Sequence, residues 1–80
     1  MAESTVMRVV MVVSLVTGIS EEDLSAKVTL HKIGLGKGDL RDLQVELEKE
    51  FRILVPDDIL ENVSTIGDLS KKIEQLHRNR

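Results

Sequence analysis

Leu40, Leu43, Leu47 and Phe51 recur at steps of three and four residues, with no proline between Asp39 and Phe51. That spacing puts all four on one stripe of an α-helix and leaves Asp42, Glu46, Glu48 and Lys49 between them as polar positions. The segment is therefore predicted to be a helix from Asp39 to Phe51, with Asp39 as N-cap and Asp42 three residues on. Near the C-terminus the same logic applies. Thr65 and Asp68 form a T-x-x-D cap, Ile66, Leu69, Ile73 and Leu76 form the stripe, and Lys71, Lys72, Arg78 and Arg80 supply a basic end. Between these helices, Arg52-Ile53-Leu54-Val55 leads into Pro56, and Asp57 to Val63 is one short helical stretch whose Pro and Asp residues suit a first turn.

The first element runs from about Thr5 to Thr17 and stops at Gly18. Its β-branched residues favour a strand on propensity. The run is too long and too uniformly apolar for a half-buried strand, however, and helical spacing gathers Val6, Val9, Val10, Val13 and Val16 on one stripe. Met7, Met11 and Leu15 are left on another face, more apolar surface than one small core absorbs, which marks that face for a homodimer or a hydrophobic partner. Residues 19–38 read as a long loop with a cap-like turn at Ser20-Glu21-Glu22-Asp23 and inward anchors at Leu24, Val28, Leu30 and Ile33. The expected fold is all-α, a bundle of three main helices and one short helix with a long first loop, forming a single domain over residues 1–80.

Composition removes several classes of function. Cysteine is absent, and His31 and His77 lack the spacing of a shared metal site, so no metal is expected. A net charge of -3 and a single aromatic residue, Phe51, leave neither a phosphate-attracting field nor base-stacking platforms, so no nucleic acid is expected as partner. The apolar run Val9 to Val16 is far shorter than the roughly 20 residues of a membrane span. Glu3 and the lack of an A-x-A site argue against a secretion signal, and a cytoplasmic protein is expected.

Three of the five glycines alternate around Lys37 in Lys32-Ile33-Gly34-Leu35-Gly36-Lys37-Gly38-Asp39. The stretch is not a Walker loop, because Gly38 stands where a magnesium-binding Ser or Thr would follow the lysine. Nor is it a dinucleotide fingerprint, because the glycine spacing is even and no strand precedes it. A small anion held by backbone amides and Lys37 would compete with the negative charge of Asp39. That weaker reading stays open beside the leading one, a glycine hinge into a capped helix.

From Ile33 onward the chain resembles the acyl carrier protein family. Ile33-Gly34 sits where the family has Leu-Gly, Asp39 to Phe51 matches its second helix, and Phe51-Arg52-Ile53-Leu54-Val55-Pro56-Asp57-Asp58 matches its Phe-spacer-aliphatic-Pro-acidic stretch. Val63-Ser64-Thr65-Ile66-Gly67-Asp68-Leu69 matches the lead into its last helix. Upstream, Arg8-Val9, Val12-Val13, Gly18-Ile19 and Glu22-Asp23-Leu24 fit if one residue is deleted before Gly36.

The resemblance implies an Asp-Ser-Leu motif whose serine carries 4'-phosphopantetheine, and in this register those positions hold Gly36, Lys37 and Gly38. Neither glycine nor a lysine amine offers the side-chain oxygen of a phosphodiester, so the arm is expected to be absent and the protein not to be an enzyme. The resemblance further implies an acidic surface for an acyl-handling enzyme, at Asp39, Asp42, Glu46 and Glu48, diluted by Lys37, Arg41 and Lys49. Leu43, Leu47, Val55, Leu60 and Val63 match the lining of the family's acyl pocket, or else are plain core. The leading expectation is thus an interaction module linked to fatty-acid, lipid or polyketide synthesis. Two alternatives stay open: an atypical carrier that binds acyl groups noncovalently, and an unrelated small helical adaptor or dimerisation protein.

Overall fold

Ser4 opens the first helix, α1 (Thr5–Thr17), where its Oγ accepts from the Met7 N–H at 3.2 Å. Gly18 ends α1 in the left-handed region at φ 77°, a conformation that costs glycine nothing, and its N–H donates to Ser14 O at 2.8 Å. The computed structural model describes residues 4–78, with Lys37 described by its backbone. The expected acidic Glu3 and basic Arg80 lie outside the described residues.

After a single 3-10 turn at Glu21–Asp23 come α2 (Lys37–Phe51), α3 (Asp57–Asn62) and α4 (Ile66–Arg78), so the described residues hold the expected all-helical bundle. Val9 and Val13 of α1, Leu43, Leu47 and Phe51 of α2, and Ile66, Leu69 and Ile73 of α4 form the centre of the core, with Val55 and Leu60 closing it below. Burying each such side chain contributes on the order of 1.5–3 kcal/mol. The α1 stripe is shifted from the predicted one. Val12 is buried while Val6 is 37% exposed and Val16 only half-buried: α1 packs against both α2 and α4, and the residues it buries are Val9, Val10, Val12 and Val13.

Leu24 and Leu30 are buried, and Val28 and Ile33 half-buried, so the loop is anchored at the expected residues. It is fastened to the start of α4 by backbone bonds: Leu30 N–H donates to Ser64 O at 2.9 Å, Ile66 N–H to Val28 O at 3.0 Å, and Gly67 N–H to Ala26 O at 2.9 Å. The first two form an isolated antiparallel bridge between Thr29 and Thr65. Arg8 ties α1 to the end of α2. It bonds Glu50 Oε2 at 3.0 Å and Glu50 O at 2.9 Å, with its guanidinium 4.3 Å from the centroid of the Phe51 ring.

Candidate functional site

The glycine stretch lies at the entrance to α2, but the cap differs from the predicted one. Gly36, with extended backbone, is the N-cap, and the helix starts at Lys37 rather than at Asp39. Asp39 is the third residue inside, and its Oδ2 reaches back to accept from the Gly36 N–H at 3.2 Å. Gly36 has no side chain to return the bond, so one half of a capping box is present. The Leu40 N–H closes the first turn on Gly36 O at 2.9 Å. An aspartate can cap from either position, and the two extra residues join the helix because glycine is well tolerated as N-cap.

Among the described residues, a Cβ at Gly38 would meet nothing within 4 Å, and one at Gly36 would meet only Asp39 Oδ2, at 3.9 Å. The turn that the resemblance assigns to the prosthetic arm is therefore roomy at both glycines. What it lacks is chemistry. From Leu30 to Val63 the chain has no Ser, Thr or Tyr, so neither α2 nor its approach holds a hydroxyl that could form a phosphodiester. The hydroxyls that flank this stretch, Thr29, Ser64 and Thr65, lie where the first loop meets the start of α4 and not in the turn that opens α2, and Ser70 within α4 is buried and donates to Ile66 O at 2.8 Å. The residues present do not fit the arm.

Beside this turn is an open groove of about 540 Å³ between the loop, α2 and α3. Leu30, Leu35, Leu40, Leu60 and Val63 give it an apolar lining, and His31, Arg41, Gln44, Asp57 and Glu61 add polar and charged groups of both signs. Of the residues matched to the acyl pocket, Leu60 and Val63 line this groove. Leu43, Leu47 and Val55 do not: they are at most 2% exposed and belong to the core. Sequence reading missed Leu35, Leu40, His31 and Gln44 as groove residues, since the groove assembles three segments and has no local periodicity to betray it.

The acidic surface is also redistributed. Asp42 is exposed, Asp39 is exposed but engaged in its cap, and Glu46 is half-buried with Lys49 Nζ at 3.7 Å. Glu48 is turned inward, where its Oε2 accepts from the Val55 N–H at 2.9 Å, which removes it from the acidic face. The carboxylates of α3, Asp57, Asp58 and Glu61, are exposed and extend the surface toward the groove. On α1, Met7, Met11 and Leu15 are 57%, 43% and 71% exposed, as the surplus of apolar residues in that helix implied. No group of residues that could hold a metal ion occurs among the described residues. No described helix is long and apolar enough to cross a membrane.

Residues 8–73 match the family model described as the phosphopantetheine attachment site. The chain is also 36% identical over 59 residues to an acyl carrier protein of Thermotoga maritima, an alignment covering 72% of this chain and 73% of that protein.

Proposed function

The chain belongs to the acyl carrier protein family, and from that premise we propose that it acts without the 4'-phosphopantetheine arm, as a non-catalytic interaction module for an acyl-handling enzyme. The family normally carries that arm, so the proposal departs from the family's usual chemistry at a single place. One observation carries it: the first turn of α2 is Gly36-Lys37-Gly38, and no hydroxyl occurs from Leu30 to Val63. Membership in the family sets aside the reading of an unrelated helical adaptor. The setting we assign is fatty-acid, lipid or polyketide synthesis in the cytoplasm. Incubation with a phosphopantetheinyl transferase and coenzyme A, followed by intact mass measurement, is expected to leave the mass unchanged. A gain equal to the arm overturns the proposal.

The acidic residues Asp39 and Asp42, continued by Asp57 and Asp58, are the surface we assign to the partner, with Glu46 at its edge. Exposed Met7, Met11 and Leu15 suit a second contact, either a homodimer or a hydrophobic partner segment. Sedimentation that reports a strict monomer at millimolar concentration counts against the homodimer.

The groove favours a second reading, in which acyl groups bind noncovalently over Leu40, Leu60 and Val63 with Arg41 at the rim. Titration with a fatty acid should then shift the amide signals of Leu60 and Val63 before those of Leu43 and Leu47. Unmoved signals at Leu60 and Val63 eliminate this reading.

A further inference from the structure

Val55, in the connection between α2 and α3, has both of its backbone polar groups taken by side chains of α2. Its N–H donates to Glu48 Oε2 at 2.9 Å, and its carbonyl accepts from Gln44 Nε2 at 2.6 Å. The same Gln44 amide nitrogen, which has two hydrogens to give, also donates to Asp57 Oδ1 at 2.8 Å. Asp57 is the first residue of α3. Two side chains one helical turn apart therefore hold both the connection and the entrance of the next helix.

α3 needs that hold. It is 6 residues long, Pro56 as its N-cap supplies no side-chain hydrogen bond, and a helix so short does not persist alone. Within α3 itself, Leu60 is the buried anchor and Ile59 is half-buried. The chain also enters the connection through Arg52 at φ 56°, a left-handed conformation that a non-glycine residue adopts at some cost. We infer that Gln44 and Glu48 form a latch that keeps α3 closed on α2, and that α3 opens as a unit when the latch is lost while the remaining bundle stays folded. Gln44 and Asp57 both line the groove, as do Leu60 and Glu61 of α3, so the latch also sets the position of one groove wall. A polar group that entered the groove and took the Gln44 amide would release that wall.

Hydrogen exchange of the full chain tests the latch without any occupant of the groove, and so independently of what the groove binds. Gln44→Met keeps the length of the side chain and removes only its amide. It is expected to speed exchange of the Val55 and Ile59 to Asn62 amides about tenfold, with Val9 to Val16 and Leu69 to Leu76 at wild-type rates. Glu48→Ala should do the same, whereas Glu48→Gln, which still offers an oxygen to the Val55 N–H, should stay within about twofold of wild type. Glu46→Ala, on the same helix but outside the latch, serves as control and should change nothing in α3. Three outcomes overturn the latch: α3 unprotected already in the wild type, α3 unchanged in Gln44→Met, or an equal rise in every helix. Behaviour of Glu48→Gln like Glu48→Ala overturns the role given to Glu48, and with it the latch as drawn.

Discussion

At the start of α4, Thr65 and Asp68 cap each other's backbone. The Asp68 N–H donates to Thr65 Oγ1 at 3.0 Å and the Thr65 N–H to Asp68 Oδ2 at 3.3 Å. At the start of α2, Gly36 has nothing to give, and Asp39 alone reaches back at 3.2 Å. The glycines of the two turns differ as well. A Cβ at Gly67 would stand 3.1 Å from Ala26 O and 3.3 Å from Ala26 Cβ, where the first loop is fastened to α4, while a Cβ at Gly38 would meet open space. Gly67 is thus demanded by a close backbone approach, and Gly38 is not demanded by anything nearby. One turn is built by packing and the other stands apart from it. The identity of Gly36 and Gly38 is therefore a matter of chemistry, free to change without disturbing the core.

The strongest way to break this comparison is to give the α2 turn the chemistry it lacks. The combined variant Gly36→Asp, Lys37→Ser, Gly38→Leu should remain folded and should accept the arm from coenzyme A and a phosphopantetheinyl transferase, an all-or-none mass gain absent from the wild type. A folded variant that stays unmodified would mean that the family's surface for the transferase has been lost beyond these positions.

Stability changes come next in size. Thr65→Ala removes one half of the reciprocal cap and is expected to cost about 1 kcal/mol, read from urea unfolding. Gly67→Ala should also cost about 1 kcal/mol even though alanine is the better helix former. The reason is that the loop carbonyl of Ala26 is held by the Gly67 N–H at 2.9 Å and cannot retreat without stretching that bond. A stabilised Gly67→Ala would show that the loop yields and that the contrast between the two turns is smaller than drawn. Gly38→Ala should go the other way and stabilise by about 0.5 kcal/mol, since it gains helix propensity with no contact to strain. Smallest of all, Gly36→Ser should stabilise by a few tenths of a kcal/mol by completing the capping box with Asp39.

Much of the fold was legible from single residues in sequence order. The span of α1 from Thr5 to Thr17, its stop at Gly18 and the T-x-x-D start of α4 all depend on contacts within four positions, which a sequence displays directly. The stripe of Leu43, Leu47 and Phe51 announced its burial through spacing alone. The start of α2 was harder, because Asp39 serves equally well as a cap or as the third helical residue, and only the path of Gly36 decides between them. Glu48 looked like one more acid on a solvated face, since nothing within its own helix reveals that Val55 folds back beneath it. The groove was partly seen through Leu60 and Val63. Leu30 was expected to point inward, and Leu35 and Leu40 were not connected to it.

The amino-acid sequence by itself therefore determined the helices, most of their ends and the missing hydroxyl at the head of α2. These follow from local hydrogen bonding, from periodicity and from the bare inventory of side chains. Tertiary structure decided which apolar residues became core and which became groove, and it took Glu48 from the acidic surface and joined it with Gln44 as a latch on α3. Those assignments depend on segments that meet only after the chain has closed, and no spacing along the chain records where two segments will meet.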